Sequence, residues 1–226
     1  RSLSMSVLFV VLTVFCSQVC SALLSVSGLY GDTVTLPCDG SYYRPTPEER
    51  KIVQWETADH YVLEFNRGLN LTGPGFENRA ELSRERIRDG DFSLILRNVT
   101  FSDEDIYECQ FVNDRSERKF LGGVKLTVLG HEENISLSWG DPLSVPLHTQ
   151  QAALDSTVIS YSSRLKAWVQ DQVLKISSVR AEDGGTYTVQ DSQRNRISTV
   201  HVTVGGEEWG SSGELAQCDS FTSVSP

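Results

Sequence analysis

From residue 28 onward the apolar positions come in short alternating runs, and each run ends in turn residues. Val34-Thr35-Leu36-Pro37-Cys38 alternates, as does Val53-Gln54-Trp55, while Tyr61-Val62-Leu63-Glu64-Phe65 is a β-rich stretch. Tyr107-Glu108-Cys109-Gln110-Phe111 and Val124-Lys125-Leu126-Thr127-Val128 repeat the pattern. Asp89-Gly90 predicts a hairpin turn leading into Phe92-Ser93-Leu94-Ile95-Leu96. No stretch of ten residues keeps a helical period. Many short strands separated by turns predict an all-β sandwich or barrel.

The pattern occurs twice. Gly31-Asp32-Thr33-Val34-Thr35-Leu36 matches Gly140-Asp141-Pro142-Leu143-Ser144-Val145, and Asp103-Glu104-Asp105-Ile106-Tyr107 matches Asp183-Gly184-Gly185-Thr186-Tyr187. Leu126-Thr127-Val128 matches Val202-Thr203-Val204 in the same order. The chain therefore reads as a duplicated domain: a first at 23–130, a second at 131–204, and a Gly-, Ser- and Glu-rich tail at 205–226 expected to be disordered.

The N-terminus breaks the pattern. Val7 to Phe15 forms an apolar run too short to span a bilayer, followed by the small residues Cys20-Ser21-Ala22. Residues 1–22 read as a secretory signal cleaved after Ala22. Cys16 and Cys20 leave with it. In an oxidising compartment Cys38 and Cys109 are then the natural pair, and Cys218 is left over. A thiol on a mobile tail predicts some Cys218-linked dimer. The sequons at Asn70, Asn98 and Asn134 become candidate glycosylation sites, with Asn70 expected in a loop, Asn98 at a strand end and Asn134 at the domain junction. The chain is extracellular on this reading, secreted as it stands or held outside the plasma membrane if a longer form has an anchor.

Charge and motif content narrow the function. The 30 acidic and 20 basic residues leave a net charge of −10, which disfavours nucleic acid and polybasic membrane binding. His60, His131, His148 and His201 are scattered, and no nucleophile elbow or phosphate-cradling glycine loop occurs. No enzyme activity, metal, cofactor or small-molecule substrate is expected. Arg84, Arg86 and Arg88 alternate beside the expected hairpin. With Glu85 and Asp89 between and beyond them, they read as a solvated strand face rather than an anion or glycan patch.

Cys38, Trp55 and Cys109, with Asp103-x-x-x-Tyr107-x-Cys109, resemble the immunoglobulin fold. The resemblance implies that Cys38 and Cys109 bridge two sheets, that Trp55 packs on the bridge, and that Tyr107 makes a tyrosine corner. It also implies that Arg79 pairs with Asp103. The 71-residue separation of the cysteines leaves room for the extra strands of a V-type domain. The runs Phe76 to Leu82 and Asp91 to Val99 resemble the butyrophilin, myelin oligodendrocyte glycoprotein and T-cell co-stimulatory ligand group. The second domain departs from the pattern: Leu147 and Val189 replace the cysteines, only 42 residues apart. Tyr161 and Trp168 are its candidates for the packing tryptophan. It is expected to be a shortened immunoglobulin-like sandwich without a disulfide.

Strand alternation supplies a candidate partner face. With Trp55, Tyr107 and Cys109 inward, Gln54, Glu56, Glu108 and Gln110 point outward, continued by the charged loop Asn113-Asp114-Arg115-Ser116-Glu117-Arg118-Lys119. In the resembling families partner V domains dock on this sheet. The resemblance implies a cell-surface protein partner, another immunoglobulin-family receptor, in T-cell regulation. The alternatives are homophilic adhesion and a soluble decoy lacking its membrane anchor.

Overall fold

The computed structural model describes residues 23–149, 158–160 and 167–206, with 158–160 and 167–169 described by backbone alone. The expected leader, Tyr161, Cys218 and nearly all of the tail lie outside the described residues, as does the Trp168 side chain. The chain divides into two units, one running through His131 and including Asp191–Ile197, the other taking Glu132–Gln190 and the chain from Ser198. No helix among the described residues is long and apolar enough to cross a membrane.

In the first unit the strands are β1 (Leu24–Leu29), β2 (Val34–Leu36), β3 (Ile52–Glu56), β4 (Tyr61–Asn66), β5 (Leu69–Thr72), β6 (Ala80–Leu82), β7 (Leu94–Leu96), β8 (Ile106–Val112) and β9 (Arg118–Leu129). They form a six-stranded sheet ordered β1-β9-β8-β3-β4-β5 and a three-stranded sheet ordered β2-β7-β6. β1 runs parallel to β9, from Leu24 beside Val124 to Leu29 beside Leu129. Every second residue of the central strands is buried, which is why these sequences settle as strands with one face on a shared core. That core holds Leu36, Val53, Trp55, Phe65, Leu82, Phe92, Leu94, Leu96 and Leu126.

The Cys38–Cys109 disulfide ties the segment just after β2 to β8, joining residues 71 apart. Trp55 stands opposite Cys109 in the β3–β8 register. Its ring is fully buried, and its indole N–H donates to the Phe92 carbonyl at 2.9 Å, so burial leaves no donor unpaired. At one end of the unit Arg79 grips the buried Asp103 carboxylate with two bonds, at 2.6 and 3.2 Å. The Tyr107 hydroxyl donates to the Asp103 carbonyl at 2.8 Å.

Arg84–Arg88 is a one-turn α-helix, not the strand that alternation suggested. Ser83 caps it, accepting from the Arg86 N–H, and Ile87 is its buried anchor. Five residues are too few to display a helical period, and a serine cap with a glutamate in the first turn outweighs the alternation. The Asp89-Gly90 pair therefore ends a helix rather than closing a hairpin. Gly90 has φ +83°, and a Cβ there would meet Ser41 Cα at 2.8 Å.

The second unit contains β10 (His131–Ser138), β11 (Leu143–Pro146), β12 (Val158–Ser160), β13 (Ala167–Gln170), β14 (Val173–Ile176), β15 (Gly185–Gln190) and β16 (Arg196–Gly205). Its described sheets are β10-β16-β15-β12 and β11-β14-β13. Leu143, Val145, Leu147, Leu174, Ile176, Val179, Tyr187, Val189, Val200 and Val202 are buried. Leu147 and Val189, at the positions of the missing cysteines, are thus both interior. The Tyr187 hydroxyl donates to the Asp183 carbonyl at 2.7 Å, and Asp183 accepts from the Arg180 N–H at 2.8 Å. The first unit makes the same arrangement with Tyr107, Asp103 and the Thr100 N–H.

Candidate functional site

The outer face of the six-stranded sheet gathers the polar and the exposed apolar residues that the core does not use. Register places them in rows. Gln110 on β8 lies opposite Gln54 on β3, and Gln54 lies opposite Glu64 on β4. Glu64 in turn faces Leu71 on β5, while Phe120 on β9 faces Gln110 from the other side. The row thus reads Phe120, Gln110, Gln54, Glu64, Leu71, polar in the middle and apolar at both ends. In the next row Glu108 lies opposite Glu56, and Glu56 faces Tyr61 across a bulge.

Side-chain bonds knit the centre together. Gln54 Nε2 donates to Glu64 at 2.5 Å and Asn66 Nδ2 donates to the other Glu64 oxygen at 2.7 Å. Gln110 Nε2 donates to Glu56 at 2.6 Å, and Arg118 reaches the same carboxylate at 3.2 Å. Around them stand exposed apolar side chains: Tyr61 (40 % exposed), Leu69 (66 %) and Leu71 (49 %) on one flank, Ile106 (42 %) and Phe120 (50 %) on the other. Burial, with Glu64 beside it, pushes the Tyr61 phenol up to about 12, so it stays a neutral donor in physiological conditions. Gly73 lets the chain leaving β5 pass this flank, since a Cβ there would lie 1.8 Å from the Tyr61 carbonyl oxygen.

Of the residues proposed from alternation, Gln54, Glu56, Glu108 and Gln110 occupy this face, but Gln110 is only 8 % exposed. The register shifts at Cys109/Gln110, and the Glu56 carboxylate is bonded to the Gln110 amide. Gln110 therefore supports the surface rather than presenting itself. Asn113 shapes the β8–β9 turn: its side-chain oxygen accepts from the Arg115 and Glu117 N–H groups at 2.9 and 3.0 Å. Asp114 and Arg115 are exposed at its tip.

Alternation alone missed Tyr61, Glu64, Leu69, Leu71 and Phe120, while Arg118 falls within the charged stretch 113–119. The readable signal was apolar residues at the outward phase of the strands, which a burial argument assigns to the core by default.

The other candidates are placed as follows. Asn70 lies in β5 rather than in a loop, and its amide donates to the Leu82 carbonyl at 3.1 Å. Asn98 sits in a turn with φ 50°, and Asn134 is exposed on β10. Arg84 and Arg88 both pair with Glu48, and Arg86 pairs with Asp91 at 2.7 Å. Hydrogen bonds from Arg88 and Arg84 hold the Glu48 carboxyl below the usual carboxylate range. The three arginines are thus matched by carboxylates and form no anion patch. Among the described residues no three His, Cys, Asp or Glu converge as a metal site would require.

Residues 24–129 match the family model described as the immunoglobulin V-set domain. Solved structures similar to this chain include the human B7-H4 IgV-like domain, 18 % identical over 46 % of this chain and 92 % of that one, with a TM-score of 0.39. Tim-1 is 23 % identical over 48 % of this chain and 94 % of its own, with a TM-score of 0.39. A chain from the structure of ICOS in complex with ICOS-L and an anti ICOS-L VNAR domain is 16 % identical over 78 % of this chain and 97 % of that one, with a TM-score of 0.42.

Proposed function

We propose that this chain, which carries an immunoglobulin V-set domain at residues 24–129, is an extracellular ligand or receptor that binds another cell-surface protein through the outer face of its six-stranded sheet. A V-set domain is a binding module, not an enzyme. One observation carries the choice of face: Tyr61, Leu69, Leu71, Ile106 and Phe120 are all exposed on the same side of one sheet. Exposed apolar side chains gathered around a polar centre on one sheet face mark an interaction site in a folded extracellular domain.

The partner is read as an immunoglobulin-family receptor in T-cell regulation, in keeping with the resemblance of residues 28–130 to the butyrophilin and co-stimulatory ligand group. The second unit is an immunoglobulin-like sandwich without a disulfide that serves as a spacer. Asn70, Asn98 and Asn134 are the glycan-bearing positions on this reading.

The test is a screen of the tagged protein against a panel of purified cell-surface ectodomains, repeated with Leu71→Ser and Phe120→Ser. Binding that either substitution weakens at unchanged melting temperature supports the reading. Binding indifferent to both moves the site elsewhere.

A further inference from the structure

The centre of this face is unusual in its charge. Glu56 and Glu108 stand directly opposite each other on β3 and β8, and like charges in that position destabilise a sheet. Arg118 compensates Glu56 alone, from a side chain that is itself 56 % exposed. Glu64 is bonded only by the neutral amides of Gln54 and Asn66. Among the described residues no cation pairs with Glu64 or Glu108. Three carboxylates therefore sit within an apolar margin, which inverts the usual plan of an apolar centre and a polar rim.

A partner with an apolar centre would strip water from these carboxylates and return nothing. A second copy docked centre to centre would set carboxylates against carboxylates. We infer that the partner presents an arginine side chain, flanked by apolar side chains, onto the opposed pair Glu56 and Glu108, with Glu64 in the neighbouring row adding to the local negative charge. The inference rests on the docking reading above. Arginine fits better than lysine: its planar guanidinium offers several donors in a fixed fork, is more weakly hydrated, and stacks on rings such as Tyr61 and Phe120. The apolar margin then excludes water from the pair it surrounds.

The experiment is an NMR titration of the isotope-labelled full chain with N-acetyl-arginyl-tryptophan amide and with its uncharged counterpart, N-acetyl-glutaminyl-tryptophan amide. The arginine probe is expected to shift the amides around Glu56, Glu64 and Glu108 and to bind about fivefold more tightly than the glutamine probe. Glu64→Gln and Glu108→Gln should each shrink that advantage. Glu182→Gln, which neutralises an exposed carboxylate of the second unit, should not. Equal affinity of the two probes at this face overturns the arginine inference while leaving the docking reading standing. Shifts scattered over carboxylates elsewhere overturn it as well. So does a dimer of the protein alone that sediments faster and is lost in Leu71→Ser, because a second copy would then be the occupant. Failure of the docking reading itself is read separately, from the Leu71 and Phe120 variants in the ectodomain screen.

Discussion

Glu56 and Glu108 face each other across β3 and β8 as a directly opposed cross-strand pair. Like charges directly opposed across a sheet disfavour it, and Arg118 and Gln110 relieve Glu56 alone. Glu108→Lys would turn the pair from repulsive to attractive and should raise the stability of the first unit by about 0.5 kcal/mol, while weakening partner binding. Chemical denaturation measures the first effect. A lower midpoint for the lysine variant would show that the pair is not repulsive.

Arg79 and Asp103 provide the converse case. Asp103 is buried, and Arg79 supplies the charge that offsets it. Arg79→Met leaves that carboxylate without its cation, at a cost of about 3 kcal/mol. Equilibrium unfolding of the variant checks this. A loss below about 1 kcal/mol, the value of an exposed pair, would mean that solvent already screens the carboxylate.

Alkaline pH should weaken both units through their tyrosine corners. Burial, with Asp103 adding to it, pushes the Tyr107 phenol well above the usual tyrosine range. Burial and Asp183 push Tyr187 in the same direction. The folded chain keeps a proton that the unfolded chain releases, so this stability is whole below about pH 10 and falls as pH rises further. Burial lowers Lys51, which acts with the opposite sign but equally in wild type and variant. Wild type should therefore lose stability more steeply than Tyr107→Phe between about pH 10 and about pH 12. Parallel curves would contradict the account.

Reduction separates the two units. Opening Cys38–Cys109 should cost the first unit about 2–4 kcal/mol. The second unit, with Leu147 and Val189 buried in place of cysteines, should be unaffected. Calorimetry with and without reductant resolves the two transitions, and equal shifts in both would exclude this assignment.

The fold class was legible because each strand needs only a two-residue period, and that period survives in runs as short as Val34 to Cys38. The disulfide was legible because Cys38 and Cys109 are the two cysteines of the first repeat. The short helix was not: Arg84 to Arg88 alternates charge with a single apolar residue, and its evidence lies in the Ser83 cap and the buried Ile87. Nor could the burial of Gln110 be read from alternation, since it depends on its amide bonding to the Glu56 carboxylate of the neighbouring strand. The apolar half of the proposed docking face was hidden for a different reason. Leu69, Leu71, Tyr61 and Phe120 are hydrophobic, so burial is the default assumption, and only the pairing of β4 with β5 and β8 with β9 shows that they point outward.

The most direct test of the docking face is site-specific photocross-linking on cells that display candidate receptors. A photoreactive side chain is placed at Leu71 or Phe120 on the six-stranded sheet, and separately at Glu81 or Arg97, which pair with each other on the opposite sheet. The account predicts a receptor cross-link from Leu71 and Phe120 and none from Glu81 and Arg97. Cross-linking from Glu81 or Arg97 alone would contradict it.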